Sequence, residues 1–433
     1  MYILYYHLLV TAILIILFPF FFLFYNRKRF KERFGLGLPE LGPSSTGRIW
    51  IHALSVGEVL SAVPLIEALK RKYPSREIVF SVKTVTGLEV ALEKLRGKVH
   101  YLLPMPLDFW WSNRKMIKVI KPEVFILVET DIWPGLISSL KKRGIKTILV
   151  NGRVSPGTGR SYYKWRVIAG KVLKALELFL MQTELDEHRI LKTGIPGEMV
   201  KVTGNIKFDS RWTPFTDNER AEWLNLLGLK KELVLVAGST HSPEEKIILR
   251  VFGKLLKVMP NLFLIIGPRD AGRFDEVYNL ARTFGFNAIR KTELSTVSSR
   301  ALLHNSSGKN EKPDLLILDT LGELGRVYGL ADVAFVGGSL AQTGGHNLLE
   351  PAFFEVPVLF GPYTFNFDAM SRLLVECGGG IRISSDQELF QNLRELLCHK
   401  KLRRETGERA SEFVRQNQGA LDRVMKIIEP YIL

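Results

Sequence analysis

The sequence predicts an α/β protein of two halves, each built on a parallel sheet. Three observations predict it. Apolar runs of strand length alternate with amphipathic helical stretches from Arg48 onward. Several of those runs are apolar throughout, as buried strands of parallel sheets are. A polar connector, Asp209–Leu227, interrupts the series before a second one begins at Leu233, and 433 residues is a length suited to two domains.

Met1–Tyr25 carries no Asp, Glu, Lys or Arg. At about 1.5 Å per residue, a helix of that length spans roughly 38 Å, enough to cross a bilayer core with some tilt. Arg27, Lys28, Arg29, Lys31 and Arg33 follow at once, and the positive-inside rule puts that end in the cytoplasm. A cleaved signal peptide needs a basic start and a small-residue cleavage site; neither is present. The expectation is an uncleaved transmembrane anchor over residues 1–25 and a basic juxtamembrane linker over 26–47. The alternative is a helix lying in the interface, because Tyr5, Tyr6 and His7 interrupt the apolar run.

Arg48–Leu54 opens the first series as a strand, and Ser55-Val56-Gly57-Glu58 turns into the helical run Val59–Lys72. Ile78–Val82, Val124–Val128 and Thr147–Val150 read as further strands. In open parallel sheets, function collects just beyond the strand C-termini, where Glu58, Glu129 and Arg153 fall. The domain boundary is expected in the connector, giving one domain over 48–210 and another over 211–433. The second series runs through strand Leu233–Ala237, a helix at Pro243–Val258, strand Leu262–Ile266 ending in Gly267-Pro268-Arg269, and strand Leu315–Leu318 followed by Asp319–Leu324. Leu294–Asn310 is Ser-rich and expected as a surface loop. The chain from Arg372 is largely helical and charged.

Val333–Val336 is the next strand, stopped by Gly337-Gly338. A second pair, Gly344-Gly345, precedes His346-Asn347 and a helical run, Leu348–Glu355; Pro357–Phe360 is the strand after it. A glycine loop feeding a helix N-terminus presents N–H groups and a positive dipole end, which suit a phosphate. Asn347 and Glu350 project on one side of that helix, where the carboxylate suits ribose hydroxyls. Taken alone, the pattern equally describes a turn packed with small residues. Glu58 also has two readings, a glutamate favoured by the helix dipole or a general base. Glu129 ends a buried strand, where a lone carboxylate is costly unless paired or in a polar cleft. Arg269 offers a permanently charged, fork-shaped guanidinium to a phosphate.

The sequence GGS…GGHNLLEP followed by GPYT resembles the donor-nucleotide segment of the bacterial 3-deoxy-D-manno-octulosonic acid (Kdo) transferases. Trp50–Glu58 is similar to the family's WxHxxSxGE motif. VETDIWP is similar to VETExWP, with Asp131 in place of the commoner glutamate, and Thr203–Phe208 is similar to GNxKF/D. The resemblance covers the chain from Gly47 to about Asn417. It implies the GT-B fold, two Rossmann-like domains facing a cleft, here preceded by the membrane-anchor helix. It also implies inverting transfer of Kdo from CMP-Kdo to a lipid A precursor (lipid IVA). On the matching positions it implies Glu58 as the base, with Glu129 and Lys207 assisting the transition state. Pro268, Arg269, Gly322, Glu323, Leu324, Asn347, Leu348, Leu349 and Glu350 would form the donor site, with Ser239 and His241 beside it. The family often has a histidine after the Pro-Arg pair; Asp270 stands there instead, so that position is not carried over. No metal or cofactor is implied, and the sequence has no Asp-x-Asp, HExxH or CxxC.

Lys plus Arg exceed Asp plus Glu by 16, an excess that favours anionic partners. It suits CMP-Kdo, the lipid acceptor and anionic lipids of the inner membrane, and no nucleic acid is expected. Two cysteines, Cys377 and Cys398, fit a reducing compartment. Phe109-Trp110-Trp111 beside Arg114 and Lys115 reads either as core or as an interfacial patch for lipid. Two rivals share parts of this pattern. A GT-B transferase using a UDP-sugar is separable by competition between CMP and UDP, and a non-enzymatic anionic-lipid binder would bind no CMP.

Overall fold

Runs of Val, Ile, Leu and Phe buried on both faces assemble into two seven-stranded parallel sheets. The computed structural model describes residues 6, 32–44, 47–129, 132–210, 212–230, 232–294 and 312–432. The expected anchor (apart from residue 6), most of the basic run after it, Asp131 and the Ser-rich stretch 295–310 lie outside the described residues. Among the described residues no helix is long and apolar enough to cross a membrane.

The first unit runs to Ser210 and resumes at Asn417–Leu433. Its strands are β1 (Arg48–Ala53), β2 (Glu77–Val82), β3 (Tyr101–Pro104), β4 (Pro122–Val128), β5 (Lys146–Gly152), β6 (Leu178–Met181) and β7 (Val200–Val202), in the order β3-β2-β1-β4-β5-β6-β7. Alternation along β1 divides the core in two. Ile49 and Ile51 face one cluster, roofed by the helix Val56–Lys72, while Trp50 faces another with Phe125 and Phe179. The chain winds one way from β1 through β2 and β3, then crosses to β4 on the other side. That reversal makes the β1/β4 crevice the switch point, where open α/β sheets bind ligands.

The second unit, Arg211–Gln416, repeats the plan. Its strands are β8 (Leu233–Thr240), β9 (Leu262–Pro268), β10 (Ala288–Arg290), β11 (Leu315–Ile317), β12 (Val333–Val336), β13 (Val358–Phe360) and β14 (Gly380–Arg382), in the order β10-β11-β9-β8-β12-β13-β14. Its switch point lies between β8 and β12.

Four expectations are corrected. The second domain does not run to residue 433, because the tail returns to the first unit. The helix Ala420–Ile428 buries Ala420, Val424, Met425 and Ile428 in the cluster that holds Ile49 and Ile51. Asp209 secures that return, its carboxylate accepting the N–H groups of Gly419 at 2.6 Å and Leu421 at 2.8 Å. The connector contains a helix, Asp217–Leu226, entered through a capping box between Thr216 and Glu219. The helical run after Asn347 is shorter than expected, Leu349–Phe353. Finally, the aromatic triplet is divided. Phe109 is buried and stacks on Trp111, centroids 4.5 Å apart, whereas Trp110 is exposed.

Candidate functional site

In the first unit, three of the sequence-predicted residues come together at the β1/β4 switch point. The helix that follows β1 starts at Val56, so Glu58 sits in its first turn, where the dipole favours a carboxylate. Its Oε2 accepts the N–H of Leu54, fixing the side chain against the end of β1, and the residue is buried. One turn on, the Ser61 hydroxyl proton is shared between the Gly57 carbonyl at 2.8 Å and Glu129 Oε1 at 2.9 Å. Lys207 Nζ donates to the same Glu129 oxygen at 2.9 Å. Ser61, Glu129 and Lys207 thus form one hydrogen-bonded cluster beside the helix start that carries Glu58, with Glu129 paired as a strand-end carboxylate must be.

Local backbone explains how the cluster is held. Glu129 has φ 62°, a left-handed conformation unusual outside glycine, and turns off the end of β4 while its N–H still bonds Val150. Asn151 does the same at the end of β5 with φ 57°. Its Oδ1 accepts the N–H of Ile206 at 3.1 Å, and the Asn205 side chain accepts the N–H of Lys207 at 3.0 Å. These bonds set the short turn Ile206–Asp209 that carries Lys207. Lys207 and Glu129 keep 20% and 15% of their side-chain exposure, so the ion pair still reaches solvent. The arrangement offers a carboxylate at a helix start and, beside it, a cation whose charge is balanced by a second carboxylate.

In the second unit the loop that follows the first glycine pair, Gly337-Gly338, is not an open amide cradle. The carboxylate of Glu244, fully buried at the start of the helix Glu244–Leu256, takes its N–H groups. Oε2 accepts from Gly338 at 2.7 Å and His241 at 2.9 Å, and Oε1 from Ser339, Leu340 and Ala341 at 3.0, 2.8 and 3.1 Å. The protein's own anion fills the nest. Gly337 is glycine because a Cβ there would lie 2.6 Å from the Ser239 carbonyl and 2.8 Å from Glu244. Gly338 has φ 68°, and a Cβ there would meet the His346 ring at 2.8 Å.

His346 Nε2 lies 2.8 Å from His241 Nε2, the rings within 2° of one plane. Burial, the Arg269 guanidinium and His241 push His346 down to about 3; burial above all lowers His241 as well. Both rings are therefore neutral near pH 7. Arg269, exposed beyond β9, donates its N–H to Thr240 at 3.0 Å, the residue before His241. Asn347 Nδ2 is 3.4 Å from Glu350 Oε1, and Asn347 Oδ1 accepts the N–H of Leu349. Pro268, Leu348 and Leu349 are buried. The segment Gly322-Glu323-Leu324 starts beyond β11, and the Thr320 hydroxyl bonds Glu323. The short helix Leu324–Val327 carries it toward Glu350, the carboxylate of which lies 3.8 Å from where a Gly325 Cβ would be.

Ser61, Glu244 and His346 went unassigned in the sequence. Glu244-Glu245 looks like ordinary acidic residues at a helix start, and a serine inside a helix has no signature. His346 lies within the GGHN segment, where the adjoining glycines carry the stronger signal.

Residues 28–210 match the family described as 3-Deoxy-D-manno-octulosonic-acid transferase (kdotransferase). A 3-deoxy-D-manno-octulosonic acid transferase from Haemophilus influenzae is 35% identical over 411 residues, covering 94% of this chain and 92% of that protein. The Aquifex aeolicus protein of the same description is 30% identical over 358 residues, covering 82% and 87%. Among solved structures, the S. aureus MnaA-UDP co-structure (16% identity, TM-score 0.55) covers 89% of this chain and 97% of its own. A Rickettsia africae glycosyltransferase (11%, TM-score 0.55) covers 90% and 99%. These two likenesses concern the fold alone.

Proposed function

The chain belongs to the 3-deoxy-D-manno-octulosonic acid (Kdo) transferase family, and from that membership we propose that it transfers Kdo from CMP-Kdo to a lipid A precursor, lipid IVA, with inversion. It is a Kdo glycosyltransferase; the donor, acceptor and stereochemistry are the reading. The observation that carries it is the Ser61–Glu129–Lys207 cluster at the β1/β4 switch point, with Glu58 in the first turn of the helix that carries Ser61. Glu58 takes the proton of the acceptor hydroxyl as its oxygen bonds to the anomeric carbon. The bond from that carbon to the CMP phosphate breaks in the same displacement, and CMP leaves with the electron pair. The donor carries a carboxylate on the reacting carbon and a phosphate leaving group, so a nearby cation offsets charge in the transition state. Lys207 supplies it, and Glu129 holds the ammonium in place. Mass spectrometry of the product from CMP-Kdo and lipid IVA tests the reading; an unmodified acceptor would overturn it.

The donor nucleotide is assigned to the second unit, with Arg269 on the phosphate and Glu350 on the ribose. Arg269→Ala or Glu350→Ala is expected to weaken CMP binding by about 2 kcal/mol, the scale of a charged hydrogen bond. Calorimetry with CMP, and with UDP as competitor, checks this. Unchanged CMP affinity in both variants would refute the assignment, and tighter binding of UDP would favour a UDP-sugar donor.

Met1–Tyr25 and the basic run after it support a further part of the reading, a single-pass anchor in the inner membrane with the catalytic units on the cytoplasmic side. Removing residues 1–25 is expected to shift the protein from the membrane fraction to the soluble one while turnover on detergent-dispersed acceptor persists. Retention in washed membranes at an undiminished level would argue against an anchor there.

A further inference from the structure

We propose that His241 and His346 act as a neutral latch that positions the donor-nucleotide site by joining the loops beyond β8 and β12. The inference rests on the assignment of that site to the second unit. The two Nε2 atoms are 2.8 Å apart, and the rings are coplanar with centroids 5.1 Å apart. They therefore meet edge to edge, through one N–H···N hydrogen bond, and are not stacked face to face. Such a bond requires a proton on one Nε2 and none on the other. The rings are thus held in opposite tautomers. The accepting ring carries its one proton on Nδ1, and the donating ring leaves Nδ1 bare.

Each histidine is tied to a donor residue. Arg269 donates its backbone N–H to Thr240, next to His241, and Asn347 directly follows His346. The latch therefore fixes the separation between the proposed phosphate ligand and the start of the proposed ribose-binding turn. The loops are already joined at their base, where Glu244 accepts N–H groups from His241 on one side and Gly338 on the other. The histidine bond closes them at the tip. The charges facing the pair are Glu244 and Glu245 from the helix after β8, with Arg269 and Arg273 from beyond β9. Burial and the nearby guanidinium both favour neutral rings, the condition under which the bond has a single proton. Neither ring need touch the reacting atoms, so these are positioning residues.

The test combines a spectrum of the unmodified full chain with three variants. Long-range proton–nitrogen spectra of the imidazoles should show His241 and His346 in opposite tautomers at pH 7.5 or so, where free imidazole is neutral; matching tautomers would overturn the latch without any mutation. His346→Leu should raise the CMP dissociation constant and the donor KM about tenfold, the scale of one lost hydrogen bond, with kcat at saturating donor nearly unchanged. His346→Gln, whose amide can still donate to His241, should recover most of that loss. His241→Leu combined with His346→Leu should be no worse than either alone, because both remove one bond. Thermal melting in parallel confirms that the variants are folded. Unmodified protein that fails to bind CMP overturns the donor-site reading and the latch with it. Binding by the unmodified protein with unchanged affinity in His346→Leu, or losses that multiply in the double variant, overturns the latch alone.

Discussion

Glu58→Gln is expected to slow single-turnover transfer by about 10²–10⁴, the range of general-base contributions, while CMP affinity stays as it was. The substitution keeps the shape of the side chain and an oxygen for the Leu54 N–H, so the turn from β1 into its helix is preserved. What it removes is basicity toward the acceptor hydroxyl. A loss in kcat without a loss in donor binding marks a group that acts on the transition state. Glu129→Gln should also slow the reaction, because it loosens Lys207 and the Ser61 hydroxyl together, and the pair of substitutions should not multiply. A Glu58→Gln rate within about threefold of the unmodified enzyme, well short of the general-base range, would remove Glu58 from that role and point to Glu129 or Asp131 instead.

Glu244→Ala is expected to destabilise the second unit by about 5 kcal/mol or more, since an unpaired buried N–H costs on the order of 1–3 kcal/mol and five lose their acceptor at once. Loop relaxation and entering water reduce the sum. What remains is comparable with the whole stability of a domain, about 5–15 kcal/mol. Glu244→Gln fares little better, because its NH₂ group must face N–H donors where a carboxylate oxygen accepted them. Urea unfolding of the full chain, followed by limited proteolysis to locate the weakened unit, measures the effect. A loss under about 1 kcal/mol, no more than an ordinary surface change, would show that the loop holds its shape without the clamp.

The parts of this molecule legible in its sequence are those whose signal is local. Long strands such as β4 and β9 announce themselves because they are buried on both faces and so are apolar residue after residue. The equally short β11 and β13 are still visible because all three of their residues are buried and apolar, whereas β7, β10 and β14 bury only one residue each and carry no such run. The helix Asp217–Leu226 buries none of its residues, so it has no apolar stripe. Its trace in the sequence was the capping pair Thr216 and Glu219, read there as part of a polar connector. In the site, the positions of Glu58 and Glu129 just beyond β1 and β4 are legible from the strand ends, whereas Lys207 is singled out only by the family resemblance. Glu244 and His346 could not be assigned that way. Their partners lie far along the chain, and only the folded backbone shows that the Glu244 carboxylate takes the N–H groups after the first glycine pair and that the two histidines meet.

The return of the tail bears on how the protein is made. A ribosome releases residues in order, and domains ordinarily fold as they emerge, the N-terminal one first. Here Ala420, Val424, Met425, Ile428 and Ile432 fill the same cluster as Ile49, Ile51 and Val59. The first unit to be synthesised therefore cannot complete its interior until the last residues have left the tunnel. By then all strands of the second sheet have been available for pairing. For the same reason, cutting the gene at the midpoint separates neither half cleanly: a chain ending at Ser210 lacks part of its own core, and Asp209 is left with no helix to hold.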